Sequence, residues 1–154
     1  MVVNLYSPIL FSHDAGWPNR RAGFQDPERQ KQPPARAQVG VAKACPDTRI
    51  VVAHMGGHHV LDLMMLAKRI PNMYFDTSYT LLYYRGSAVI QNIVYAMRSM
   101  RFERIFYGSD YPDRSIKDTV DGSYNLLKEY GLSEDEITKI LYTNAKEFLD
   151  WMNI

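Results

Sequence analysis

Four short apolar runs, each followed by a segment of helical period, constrain this chain more than any other feature. They are Ile9 to Ser12, Arg49 to Ala53, Met73 to Phe75 and Arg104 to Tyr107. A continuous apolar run of this length suits a strand covered on both faces, and parallel strands need a crossover helix between them. The spacing predicts helices over Ala35 to Ala44, with Val39, Val41 and Ala42 inward, then over Val60 to Ile70, Ser87 to Met100 and Asp118 to Tyr130. Pro46 and Pro71 stop the first two, and Gly131 closes the fourth. Ser133 and Glu136 form a capping box ahead of Ile137, Ile140 and Leu141, and Asn144 is placed to cap a last helix. Strict alternation of strand and helix gives an α/β fold with a parallel sheet. A chain of 154 residues has room for half of a (β/α)8 barrel of ~250 residues, not for a whole one.

Composition narrows the function class. The hydrophobic share of 46% and charged share of 23% belong to an ordinary globular chain. A net charge of +1 offers no electrostatic footprint for nucleic acid or an anionic membrane. Cys45 is the single cysteine, which excludes an intrachain disulfide and a thiolate metal cluster and points to a reducing, cytoplasmic setting. The opening residues are apolar without a basic leader, and read as strand rather than signal. Trp17 to Pro34 holds four of the eight prolines and reads as a long loop over the strand ends.

Each apolar run stops at a residue capable of chemistry: His13, His54, Asp76 and Asp110. The carboxyl ends of parallel strands converge on one rim, which is where such folds bind ligands. Imidazole and carboxylate together suit a divalent metal of the zinc or manganese kind, and equally general acid and base work. Each has an ordinary structural alternative. A strand-end histidine is often simply hydrogen-bonded, Asp110 could be a turn aspartate, and Asp76-Thr77-Ser78 could brace the next loop. His58 and His59 open a helix and face solvent. Tyr79, Tyr83 and Tyr84 read as packing or pocket wall, and Arg20 and Arg21 could meet a substrate carboxylate.

HMGG at 54–57, NMYFDTS at 72–78, RIFYGSDYP at 104–112 and ILYTNAKEFL at 140–149 together resemble the C-terminal half of the amidohydrolase-related proteins. These are metal-dependent TIM-barrel hydrolases, a group that also contains decarboxylases. The resemblance covers nearly the whole chain. It implies a partial (β/α)8 barrel of about four C-terminal βα units plus a helical tail. By the same resemblance His13 looks like a metal-binding histidine, His54 like the histidine that contacts substrate or the metal-bound water, and Asp110 like a metal ligand and base. Asp76 lies in a recurring segment without an assigned chemical role and stands as a candidate substrate contact.

The family's opening strands, with their His-x-His pair, have no counterpart in this sequence. His13 and Asp110 alone are fewer than the three protein ligands usual for catalytic zinc, so weak metal binding is expected of this chain by itself. Its open sheet edges are expected to pair, either with a missing N-terminal half or with a second copy. The expected function is hydrolysis of a small carboxylated or cyclic substrate through a metal-activated water. Decarboxylation, or a non-catalytic half-barrel that needs a partner, are the alternatives.

Overall fold

A computed structural model describes residues 2–4 and 35–152. Four parallel strands form one sheet: β1 (Val2–Asn4), β2 (Arg49–Val52), β3 (Met73–Asp76) and β4 (Ile105–Phe106). They lie side by side in sequence order. A doubly wound sheet reverses its strand order at a switch point, whereas a barrel wall does not. The connecting helices are α1 (Ala35–Ala44), α2 (Val60–Ala67), α3 (Thr80–Tyr83), α4 (Ala88–Ser99) and α5 (Ile116–Glu129). After them, α6 (Glu134–Thr138), a π-helical stretch (Lys139–Thr143) and α7 (Asn144–Met152) follow without interruption.

Alternation along the strands divides the sheet into two faces. Ile50, Val52, Met73, Phe75 and Ile105 are buried in one core with Leu63 of α2, Ile90, Ile93, Val94 and Met97 of α4, and Leu126 and Leu127 of α5. The α4 stripe is the one its period predicts. The opposite face carries Arg49, Val51, Tyr74, Asp76 and Phe106, with Val51 beside Tyr74 and Asp76 beside Phe106 in register. Helix α7 covers part of it. Phe148 lies 5.0 Å from the Tyr74 ring and 4.9 Å from that of Phe106, and Trp151 stacks 3.9 Å from the Arg49 guanidinium.

One device recurs where each helix turns back into the sheet. Asn72 donates through Nδ2 to the carbonyls of Ala42, Cys45 and Thr48, at the turn from α1 into β2. Arg104 donates to Ala67, Ile70 and Met73 at the turn from α2 into β3. Asn144 donates to Phe102 and Ile105 at the turn from α4 into β4. The last carbonyls of a helix have no partner within it, and in each unit a side chain from the next one supplies the donor. The third turn needs holding most, because Arg101, Phe102 and Arg104 all take positive φ (55°, 58°, 58°), at roughly 1–2 kcal/mol per non-glycine residue.

The first described strand is β1, whose Val2 and Val3 pair with Arg49 and Ile50; the expected strand at Ile9 to Ser12 lies outside the described residues. Two other expectations are corrected. Asn144 is not a cap, since helix already precedes it and its amide serves the β4 turn. Val41 is 38% exposed, and Ala42 alone supplies the inward contact among the described side chains of α1. The capping box at Ser133 and Glu136 is present in both directions.

Arg104→Ala is expected to lower the unfolding free energy by about 2–3 kcal/mol in urea titration, since it strands several carbonyls that a charged donor had satisfied. Arg104→Lys should recover only part of this, because an ammonium lacks the guanidinium's fork. Equal stability of Arg104→Ala and the parent chain would show that the turn does not depend on this clamp.

Candidate functional site

Strand β2 runs out at Val52, and the chain then coils through Ala53–His59 in left-handed backbone: His54 φ 56°, Met55 φ 52°, Gly56 φ 76° and Gly57 φ 55°. Glycine reaches these angles without cost, whereas a histidine and a methionine do not. Met55 offsets this by complete burial, which anchors the coil in the core and leaves His54 at the rim, half-buried. The loops after the next two strands carry similar strain, at Tyr79 (φ 61°) after β3 and at Asp110 (φ 64°) after β4. Three successive strand ends with a non-glycine residue in left-handed backbone form a pattern that clusters at functional sites.

Asp76, the last residue of β3, ties the first two loops together. Its Oδ1 accepts from the backbone N–H of His54 (3.1 Å), from the backbone N–H of Ser78 (2.9 Å) and from the Ser78 hydroxyl. The second is an Asx turn. Ser78 in turn holds the imidazole: its carbonyl lies 2.8 Å from His54 Nδ1, and its Oγ 3.1 Å from the same nitrogen. A carbonyl can only accept, so Nδ1 carries the proton in the neutral ring and Nε2 is the basic nitrogen. Of the two roles the sequence offered Asp76, bracing and substrate contact, these hydrogen bonds carry the bracing one.

The third loop is pressed against the second. A Cβ built on Gly108 would lie 2.8 Å from the Cβ of Ser78 and 3.3 Å from its Cα, so only glycine fits. Tyr107 N donates to the carbonyl of Ile140 in the π-helical stretch (2.9 Å), which fixes the base of the Gly108–Asp110 turn. Asp110 is half-buried, its carbonyl accepts from Asp113 N (3.0 Å), and the Tyr111–Pro112 peptide is cis.

Tyr79 completes the rim. Its ring meets His54 edge-on at 6.1 Å, stacks on Tyr83 at 4.5 Å, and lies beneath the Arg114 guanidinium at 5.1 Å. Burial, and then the Tyr83 phenol, push the Tyr79 hydroxyl above its ordinary pKa against the pull of Arg114. Of the other two tyrosines, Tyr84 packs against the core and Tyr83 is largely exposed, as are His58 and His59.

His54, Asp76 and Asp110 therefore share one rim, with Asp76 directly bonded to the His54 backbone. His13, Arg20 and Arg21 lie outside the described residues. Among the described residues no group of three His, Cys, Asp or Glu side chains could hold a metal ion. Sequence reading named Ser78 only as part of a possible loop brace and passed over Arg114. The Asp-Thr-Ser spacing of an Asx turn is the signal that finds Ser78, whereas Arg114 sits in a loop with no period to mark it.

Gly108→Ala should displace Ser78 and cost about 1–3 kcal/mol in unfolding free energy, the usual range for overpacking. Nitrogen-15 shifts of the His54 ring should move with it. An unchanged ring spectrum in a destabilised Gly108→Ala would separate Ser78's position from that of the imidazole.

Comparison with known proteins accords with this geometry. An uncharacterized TIM-barrel protein from Bordetella bronchiseptica superposes with a TM-score of 0.63 at 20% identity, over 84% of this chain and 43% of its own. The fold is therefore that of part of a TIM barrel, and the chain spans less than half the length of that structure. No functionally curated protein matches. Residues 11–151 match the amidohydrolase family, and over that span, nearly its full length, the chain belongs to it.

Proposed function

We propose that this chain forms the C-terminal part of a cytoplasmic metal-dependent hydrolase, acting on a small carboxylated or cyclic substrate. The observation that carries the reading is the His54 imidazole, fixed in one tautomer on a rim with Asp110. Nδ1–H is bound to the Ser78 carbonyl, so Nε2 is the atom that takes or returns a proton. A positioned imidazole is the side chain most often used for such transfer. Asp110 stands on the loop after β4, two strands along the sheet from the strand that leads into His54.

Family membership supports metal dependence, with zinc or manganese as the proposed ion. The described residues do not by themselves make a metal centre. Asp110 offers one oxygen donor, His13 is a further candidate ligand, and remaining donors would come from strands that a longer chain or a second copy supplies. The chemistry this geometry supports directly is proton transfer at His54 Nε2, with the imidazole oriented by Ser78 and Asp76 and one side of the site walled by Tyr79.

The test uses the full chain, purified with added zinc or manganese, dialysed, and assayed on esters and lactones of small carboxylic acids. Retained metal and turnover are expected. His54→Gln should lower kcat about 100-fold or more with little change in KM, and Asp110→Asn should reduce the retained metal. Carbon dioxide release without hydrolysis would move the reading to decarboxylation. Absence of both retained metal and turnover would overturn it and leave a non-catalytic barrel segment.

A further inference from the structure

Strand β4 is an outer strand of the sheet and is only two residues long. An outer strand presents a row of backbone groups to any incoming strand. Backbone groups of successive residues point to alternate sides of a strand. On β4 the carbonyls of Arg104 and Phe106 face β3, where they accept from Phe75 N and Thr77 N, each at 2.8 Å. The groups of Ile105 and Tyr107 therefore face outward. In a parallel ladder, a single residue of the next strand would donate to the Ile105 carbonyl and accept from the Tyr107 N–H. Both groups are already taken. Asn144 Nδ2 donates to the Ile105 carbonyl at 2.8 Å, and Tyr107 N donates to the Ile140 carbonyl at 2.9 Å. Ile140 and Asn144 stand four residues apart, on one face of the helical tail. The tail is seated through Ile137, Ile140 and Phe148, all of them buried. One side-chain amide and one helical carbonyl thus reproduce the two hydrogen bonds of a strand residue.

We infer that α6, the π-helical stretch and α7 form a strap that closes the β4 edge in place of a neighbouring strand. A strand from a second copy or from a longer chain competes with the strap for the same two groups, so it adds at β4 only when the strap leaves. Strand addition falls instead to β1, the other outer strand among those described. The expectation that both sheet edges pair is thereby narrowed to one of them. Two copies do not close a barrel by pairing β1 of each with β4 of the other while both straps are seated. Asn72 and Asn144 make the point by contrast. Both donate through a carboxamide to carbonyls near the start of a strand, but Asn72 serves the turn into β2, inside the sheet, and Asn144 serves its edge. The strap acts in this way whatever reacts at His54.

The experiment follows amide hydrogen exchange and sedimentation of the full-length chain. In the parent the Tyr107 amide is expected to be protected, although it faces away from the sheet. Asn144→Leu keeps the bulk of the side chain and removes its donors. It should speed Tyr107 exchange about tenfold relative to the Thr77 amide, which is bonded inside the sheet. It should also make the sedimenting mass rise with concentration, as an opened edge finds strands of other copies. Asn72→Leu makes the same chemical change at an interior turn, and should leave both the Tyr107-to-Thr77 ratio and the mass as in the parent. An unprotected Tyr107 amide in the parent would overturn the strap, as would an unmoved ratio in Asn144→Leu or equal self-association of the two leucine variants. Where Asn144→Leu does not fold, exchange at Tyr107 in the parent decides by itself.

Discussion

A single carboxylate oxygen organises the rim. Asp76 Oδ1 accepts from His54 N, Ser78 N and the Ser78 hydroxyl, so two loops that leave neighbouring strands are bound to one atom at the end of β3. Hydrogen bonds to a charged acceptor are worth roughly 1.5–3 kcal/mol each. The one that His54 N donates is by itself comparable with the roughly 1–2 kcal/mol that a histidine loses by sitting in left-handed backbone. The strained coil after β2 can therefore persist, and the imidazole it carries is aimed by the same Ser78 that the carboxylate holds. Loss of Asp76 would release the backbone of one loop and the side chain of the other at once.

Beneath the rim the same logic operates at the opposite end of the strands. Asn72, Arg104 and Asn144 each reach back into the preceding unit and satisfy carbonyls where a helix turns into the sheet. Each βα unit is therefore completed by its successor, in sequence order, which agrees with strands laid down side by side without reversal. Single side chains making two or more such bonds fix the turns more firmly than a loop's own backbone could. The rim can then carry strain because the floor does not yield.

The fold was legible because its signal is periodic. Ile90, Ile93, Val94 and Met97 fall on one helical face whatever surrounds them, and Pro46, Pro71 and the Ser133 box punctuate the helices by local chemistry alone. What escaped was non-local. Asn144 has the composition of a cap, but its partners Phe102 and Ile105 lie some forty residues away, and no local rule connects them. At the site, the positions of His54 and Asp110 were readable from where apolar runs stop, and the amidohydrolase resemblance is matched over residues 11–151. The left-handed backbone of His54 and Met55 was not readable, since neither residue type advertises it. Arg114 was likewise silent, because its significance comes from a tyrosine on another loop.

The sheet's second face is graded from end to end. Phe148 and Trp151 pack over it from Arg49 at the lower end, through Tyr74, to Phe106 at the upper end, and close it with aromatic rings. Asp76 follows Tyr74 two residues further along β3, on the same side of the sheet and beside Phe106. Aromatic packing therefore reaches the level of the carboxylate itself, and α7, remote in sequence from every rim loop, is the element that brings it there.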